Sequence, residues 1–228
     1  MIDFLSGSTY FALFLTFGAF GIGSLIQRRW KKAIFNPILI GSLLVIAVLT
    51  LLDIPNAEYQ AGCDALTMLL TPATICLAIS LYEQLQRLKP HLPAVLAGVV
   101  LGSLASLGCI WGLSRLLGLE ETILRSLLPK SVTTAIGIAL SDEIGGISAI
   151  TAGAIAITGI GGNICGKALC KLGGIKNEVA QGVAFGTASH VVGTHRAAQL
   201  SQLTGAVSSL SLTIAGLLTA VVLSFVYQ

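Results

Sequence analysis

Charge is scarce in this 228-residue sequence. Only 10% of its residues are Asp, Glu, Lys or Arg, whereas soluble domains carry about 25%. Hydrophobic side chains make up 54% of the chain, and its mean hydropathy is +0.90. Because so few charges cannot cover a water-facing surface, lipid has to cover most of the molecule. The composition excludes a soluble enzyme, a nucleic-acid-binding module and a disordered chain, and it predicts an integral membrane protein whose first partner is the lipid bilayer.

Several chemical signatures are also missing. The five cysteines are odd in number and show no C-x-x-C or Cys/His ligand spacing, which argues against a disulfide framework and a metal site. The sequence has no G-x-S-x-G elbow, no H-E-x-x-H pair, no P-loop and no dinucleotide fingerprint. We therefore predict a protein that is not an enzyme and that needs neither a metal nor a cofactor.

Long uncharged stretches divide the chain into membrane segments. Six of them come close to the roughly 20 residues that a helix needs to cross a bilayer: residues 4–27, 33–52, 65–82, 92–114, 144–166 and 197–228. Two shorter, more polar stretches near 124–144 and 179–196 are predicted to be broken or re-entrant. The expected fold is all-α, a polytopic helical membrane protein with about six to eight membrane segments. We expect one membrane domain over 1–228, with N-terminal spans in 1–60 and a transport-like core in 61–228.

Charge placement predicts the orientation. The QRRWKK run at 27–32 should be cytoplasmic, which places the N-terminus outside. Lys167, Lys171 and Lys176 then fall inside only if 124–144 enters the membrane and returns to the same side. We favour that arrangement, which would make 179–196 a matching segment that approaches from the inside.

The chain also shows a faint internal similarity. A shift of 59 residues pairs Thr74 with Thr133, and it also pairs Ile79 with Ile138, Leu81 with Leu140 and Glu83 with Asp142. Interrupted helices in two halves of a transporter point to its substrate site. We therefore consider inverted repeats possible.

The first polar segment follows Pro129. Lys130, Ser131, Thr133 and Thr134 supply one cation and three hydroxyls at the start of a helix. Unpaired backbone N–H groups and the positive end of the helix dipole make such a start a suitable site for a small anion. The alternative is a lysine that snorkels to the interface and hydroxyls that bond back to their own helix.

The second polar segment centres on His190. Thr187, His190 and Thr194 are spaced to share one helical face, and a histidine there could relay protons or bind a carboxylate. Arg196 is either functional or a cytoplasmic flank, and Asn163 is either a contact between helices or part of a cavity wall. The candidate substrate-binding residues are Lys130, Ser131, Thr133, Thr134, Asn163, Ser189, His190, Thr194 and Arg196.

These blocks resemble a known family. The matching residues are Pro129–Thr134 (PKSVTT), Ile144–Ile147 (IGGI), Gly186–His190 (GTASH) with Gly193-Thr194, and Gly205-Ala206 with Ser208–Leu210. In order and spacing they are similar to the LrgB/CidB family over essentially the whole chain. Two positions depart from the family pattern: Ala135 stands where proline is usual, and His195 stands where a small residue is usual.

The resemblance implies two kinds of function. Some members are antiholin-like or holin-like proteins that modulate murein hydrolase activity and autolysis with a small LrgA/CidA-like membrane partner. Others are carriers of glycolate, glycerate or pyruvate. A holin does not need a cationic polar site at mid-membrane, so we predict a secondary transporter of small monocarboxylates. It is expected in the bacterial cytoplasmic (inner) membrane as a homo-oligomer, a dimer.

Overall fold

The computed structural model describes residues 8–30, 35–69, 72, 82 and 89–227, and the regular structure of these residues is helical. Four helices within them are long and apolar enough to cross a membrane: Thr9–Trp30, Lys89–Leu116, Ser148–Leu172 and Gln202–Val226. A shorter apolar helix covers Pro37–Leu51. The prediction of an all-α, polytopic membrane protein is confirmed. Lys31, Lys32 and Arg87 lie outside the described residues, as does most of the expected segment 65–82.

The chain separates into two compact units, Met1–Ala78 and Ile79–Gln228. The expectation of one domain over 1–228, divided into 1–60 and 61–228, stays a prediction. In the first unit α1 (Thr9–Trp30) and α2 (Pro37–Leu51) are followed by two short helices, α3 (Asn56–Gly62) and α4 (Asp64–Met68). The Asn36 side chain caps α2 by accepting a bond of 2.8 Å from the amide of Ile38.

The second unit holds the polar segments. Its helices are α5 (Leu92–Leu116), α6 (Glu121–Leu127), α7 (Thr134–Glu143), α8 (Ser148–Leu172), α9 (Glu178–Leu200) and α10 (Gln202–Val226). A 3₁₀ turn, Leu128–Ser131, separates α6 from α7. Small side chains let these helices pack closely, and the buried core of α5 and α10 consists of Val95, Val99, Ala206, Val207 and Ala215.

Residues 121–143 form a re-entrant hairpin, which we call hairpin A. Its two ends meet, because Arg125 Nη1 donates to the carbonyl of Ile144 at 2.9 Å. The hydroxyl of Thr151 in α8 lies 2.8 Å from the Ser126 carbonyl on the ingoing side and 2.7 Å from the Ser141 hydroxyl on the returning side. Both ends of hairpin A therefore lie beside the same turn of α8, at Thr151. The predicted re-entry of 124–144 is confirmed.

Helix α9 is a second hairpin, hairpin B, because the chain reverses at Ser189 and His190, which have non-helical backbone angles. On the first leg Gly182 lies against Thr204 of α10, and on the second leg Ala198 lies against Gly205. Both ends of α9 therefore lie beside the beginning of α10. The broken segment predicted near 179–196 is confirmed.

The two hairpins enter the second unit from opposite ends. Hairpin A opens at the start of α8, where the Ile147 amide donates to Ser126 Oγ at 2.7 Å. Hairpin B opens at the end of α8, where Cys170 packs with Phe185 and Ala197. Helices α5 and α8, of 25 residues each, precede a hairpin and run in opposite directions.

Two consecutive units, 92–143 and 148–200, are therefore inverted relative to each other. The repeat predicted from a 59-residue shift is a different one. Thr74, Ile79, Leu81 and Glu83, on which it depends, lie outside the described residues.

Candidate functional site

The tip of hairpin A interrupts the helix with extended backbone. Val132 has φ −98° and ψ 178°, and Thr133 has φ −67° and ψ 151°, before α7 begins at Thr134. The Thr133 side chain does not cap the new helix. Because the first amides of a helix have no partner within it, the start of α7 presents N–H groups and the positive end of its dipole at the tip. The break predicted after Pro129 is thus present.

Lys130 is the cation at this tip. It is half-buried, and its ammonium donates to Ser131 Oγ at 3.0 Å. Ser131 Oγ in turn lies 3.3 Å from Ser106 Oγ of α5. Within residues 89–227 no carboxylate pairs with Lys130. An unpaired charge in a membrane interior is costly and marks a candidate functional group.

The tip of hairpin B is built around His190. This residue is 4% exposed and has φ 41° and ψ −137°, a conformation that side chains rarely adopt and that costs about 1–3 kcal/mol. Its Nε2 lies 2.9 Å from the carbonyl of Ile155 in α8. Because a carbonyl only accepts, Nε2 carries a hydrogen. Gly159 makes room for the ring, since a Cβ there would lie 2.5 Å from His190 Cε1.

Polar contacts hold this second tip in place. The Thr194 hydroxyl donates to the His190 carbonyl at 2.9 Å and lies 2.8 Å from Ser208 Oγ of α10. Asn163 of α8 donates to the Val192 carbonyl at 3.1 Å, and Ser189 is buried against Gly162. Asn163 thus makes the predicted contact with a neighbouring segment.

The expectation that Thr187, His190 and Thr194 share one helical face is wrong. The chain reverses at Ser189 and His190, so Thr187 lies on the first leg and Thr194 on the second. Helical spacing does not hold across a reversal.

Arg196 lies away from the tip. It is six residues beyond His190, about 9 Å along the second leg toward the opening of hairpin B. Its Nη1 donates to Gln199 at 2.8 Å, while its Nε is buried and has no partner among the described residues. The neighbouring His195 is exposed.

A small cavity lies where the two tips approach α5 and α10. Its volume is about 10 Å³, which is room for about one water molecule. Its lining has five hydroxyl-bearing residues, Ser103, Ser106, Ser131, Thr187 and Thr219, and three apolar ones, Leu107, Leu128 and Ala215. Of the predicted site residues, Ser131 lies in this lining. Lys130 does not line the cavity, but its ammonium bonds to Ser131.

Sequence reasoning missed the wall that α5 and α10 contribute. Ser103 and Ser106 are three residues apart in an otherwise apolar span, a spacing that places both on one helical face. That signal was available. Thr219 stands alone in its stretch of α10, and nothing in its sequence context distinguishes it.

The fold and these tips define a class: a multi-pass helical membrane protein in which two opposed re-entrant hairpins meet between long helices. The LrgB-like family model matches residues 16–228. The chain therefore belongs to the LrgB-like family, which is not a known family of enzymes.

Curated relatives cover nearly the whole chain. The antiholin-like protein LrgB of Bacillus mycoides is 32% identical over 215 residues, which is 94% of this chain and 94% of that protein. Proteins of the same name from Bacillus cereus and Bacillus anthracis match to the same extent. No solved structure matches the chain significantly.

Proposed function

We propose that this protein is a secondary transporter of small monocarboxylates such as glycolate, glycerate, pyruvate or lactate. One observation carries the proposal: two opposed re-entrant hairpins bring their tips to the middle of α8, and one tip holds an unpaired lysine at a helix start. Interrupted helices whose N-terminal ends point at an anion are a recurring way to bind carboxylates within membranes. A wide membrane lesion would not require this arrangement.

In this proposal the first tip binds the carboxylate. Lys130 supplies the charge, and Ser131, Thr133 and the start of α7 at Thr134 supply N–H and O–H donors. His190 closes the site from the second tip.

The remaining predicted residues have supporting roles. Asn163, Ser189 and Thr194 fix the position of the second tip, as their contacts with α8 and α10 indicate. Arg196 attracts the anion from the opening of hairpin B. Each hairpin opens at one end of the second unit, as alternating access from two sides of a membrane requires.

We further propose that the protein lies in the bacterial cytoplasmic membrane with its N-terminus outside. Lys167, Lys171 and Lys176 follow the opening of hairpin B, whereas Glu120, Glu121, Asp142 and Glu143 flank the opening of hairpin A. Lysine-rich loops favour the cytoplasmic side, so hairpin B would open to the cytoplasm.

Uptake by the purified protein in liposomes tests the transport proposal. Wild type should accumulate radiolabelled pyruvate or glycolate saturably under an imposed proton or sodium gradient. Lys130→Met should lower uptake at least tenfold, because the substrate's counter-charge is lost, and Lys130→Arg should retain part of it. Lys89→Met removes an exposed lysine and should behave as wild type. Absence of saturable uptake, alone and with the small LrgA/CidA-like partner, would contradict transport.

The name of the relatives favours a second candidate function. They are called antiholin-like, so this chain is alternatively a modulator of murein hydrolase activity and autolysis that acts with the small partner. Autolysis rates of cells that express the chain with and without that partner test this. The modulator function predicts a change in autolysis that Lys130→Met leaves intact, whereas a transporter predicts that this variant behaves like a deletion.

A further inference from the structure

We propose that the cavity between the two hairpin tips receives a carboxylate oxygen of the substrate, and that Ser103 and Thr187 are its direct hydrogen-bond donors. This inference rests on the proposed transport function and deepens it. It assigns a binding role to α5 and to the first leg of hairpin B, neither of which supplies a carboxylate ligand in the transport proposal above.

The first observation is a pair of buried hydroxyls without partners. Ser103 is 4% exposed and Thr187 is 6% exposed, and neither hydroxyl oxygen has a hydrogen-bond partner among the described residues. Both residues line the same cavity, although they come from different helices. Proteins rarely leave buried polar groups unpaired, because each one forfeits its bonds to water. Two such groups around one space indicate that a ligand supplies the missing partner.

The second observation is the direction in which the donors point. An ammonium only donates, so Ser131 Oγ accepts from Lys130 at 3.0 Å. The hydrogen of Ser131 is then left for Ser106, whose oxygen is 3.3 Å away, or for the cavity itself. The Lys130 ammonium thus polarises a hydroxyl group that lines the cavity. This polarity favours an acceptor as the occupant.

The third observation concerns charge. Within the part of the chain that the structure describes, the lining has no Asp or Glu. A sodium ion at this position would lie near the Lys130 ammonium without a counter-charge, whereas an anionic oxygen would be stabilised by that ammonium. Hydroxyl groups can bind either a sodium ion or an anionic oxygen. The positive charge of Lys130 therefore favours the anion.

The size and shape of the cavity fit one end of a short molecule. Its space of about 10 Å³ admits about one oxygen-sized atom. Leu107, Leu128 and Ala215 are the apolar residues of its lining, and the carbon chain of the ligand has to lie outside this one-atom space. Because Ser131 and Thr187 belong to different hairpins, movement of hairpin A away from hairpin B would widen the cavity and release the ligand.

The experiment measures pyruvate uptake into proteoliposomes as a function of pyruvate concentration. Ser103→Ala and Thr187→Val should each raise the half-saturating concentration about tenfold or more, since each removes a donor to a charged group. Thr187→Ser keeps the hydroxyl and should remain within about twofold of wild type. Ser211→Ala is the matched control, because Ser211 on α10 carries a buried hydroxyl that has no partner among the described residues and lies outside the cavity lining.

Thermal melting with and without pyruvate provides a second readout that does not depend on transport. Pyruvate should raise the melting temperature of wild type and Thr187→Ser, and it should have little effect on Ser103→Ala. If wild type transports pyruvate but both donor variants stay within twofold of it, the cavity inference is overturned and transport stands.

Three other outcomes are also decisive. A shift in the half-saturating sodium concentration, with pyruvate affinity unchanged, would make the cavity a cation site and overturn the inference. If wild type fails to transport yet is stabilised by pyruvate in a Ser103-dependent way, the proposed function fails and the binding site stands. If wild type shows neither uptake nor stabilisation, both are overturned.

Discussion

The two hairpins have the same overall course but are held in different places. Hairpin A is tied at its open end, by the bonds of Thr151 to Ser126 and Ser141 and by the bond of Arg125 to Ile144. Hairpin B is tied at its tip. There His190 and Thr194 bond to α8 and α10, and both are buried.

The composition of each tip accounts for the difference. Hairpin A changes direction through Pro129 and two extended residues, and Thr134, the first residue of α7, is exposed. Hairpin B reverses within two residues, which requires a strained backbone at His190 and glycines on the neighbouring helix. The tip that carries the charge is the one with fewer restraints. We infer that hairpin A adapts to the ligand while hairpin B forms a fixed wall.

The largest effect is expected where hairpin B meets α8. A Cβ at Gly162 would fall on the side chain of Ser189, so Gly162→Ala should displace the tip and destabilise the protein by about 3 kcal/mol. Gly161→Ala is the matched control, because among the described residues no atom outside its own stretch of helix lies within 4 Å of a Cβ there, and alanine favours the helix. Thermal denaturation in detergent should show opposite shifts for the two variants. Equal shifts would mean that the hairpin B tip is not tightly packed.

The next effect concerns the Thr194 hydroxyl. Thr194→Val keeps the shape but removes the bonds to the His190 carbonyl and to Ser208, which should cost about 1–3 kcal/mol. Pyruvate uptake should also fall, because the His190 tip loses its anchor to α10. Thr213→Val is the control, since that exposed threonine in α10 bonds only to the Ser209 carbonyl, among the described residues. If stability falls while pyruvate uptake is unchanged, the tip of hairpin B is not part of the substrate site.

A third variant tests the open end of hairpin A. Thr151→Val removes the hydroxyl that joins the two sides of the hairpin at Ser126 and Ser141. The expected loss of stability is about 1–2 kcal/mol. Since this network joins the open end of the hairpin and includes no residue of the tip, the half-saturating pyruvate concentration should stay within twofold of wild type. A tenfold increase would show that the open end of hairpin A positions Lys130.

The sequence was sufficient to predict both hairpins. Pro129 followed by lysine and hydroxyls, and the glycines around His190, interrupt apolar stretches that would otherwise read as ordinary spans. The residues that interrupt these stretches are close together in the sequence, so composition and spacing are enough to reveal the interruptions. The membrane class followed from scarce charge alone.

The reversal at His190 and the cavity wall could not be derived in the same way. Gly, Asn and Asp are the usual residues at positive φ, and a histidine at φ 41° has no such signature. The inward direction of Ser103 and Thr187 depends on how four separate elements pack. Helical spacing predicts which residues share a face of a helix, but it does not predict which neighbouring helix that face contacts.

The smallest expected effect is at the surface of hairpin A. Arg115 at the end of α5 pairs with Glu121 at 2.8 Å, and both side chains are well exposed, at 54% and 39%. Exposed pairs contribute about 0–1 kcal/mol, so Arg115→Gln should barely shift the melting temperature. Arg125 is the informative contrast. It also pairs with Glu121, at 3.5 Å, but in addition it bonds to the Ile144 carbonyl, and its guanidinium lies 4.9 Å from the centre of the Tyr227 ring.

Arg125→Gln should therefore destabilise hairpin A by more than Arg115→Gln does, by about 1–2 kcal/mol. Measuring both variants in the same detergent at low and high salt separates the two contributions, since salt weakens exposed ion pairs most. If Arg115→Gln were the more harmful variant, the surface pair rather than the backbone bond would hold the open end of hairpin A. The proposed division of restraints between the two hairpins would then need revision.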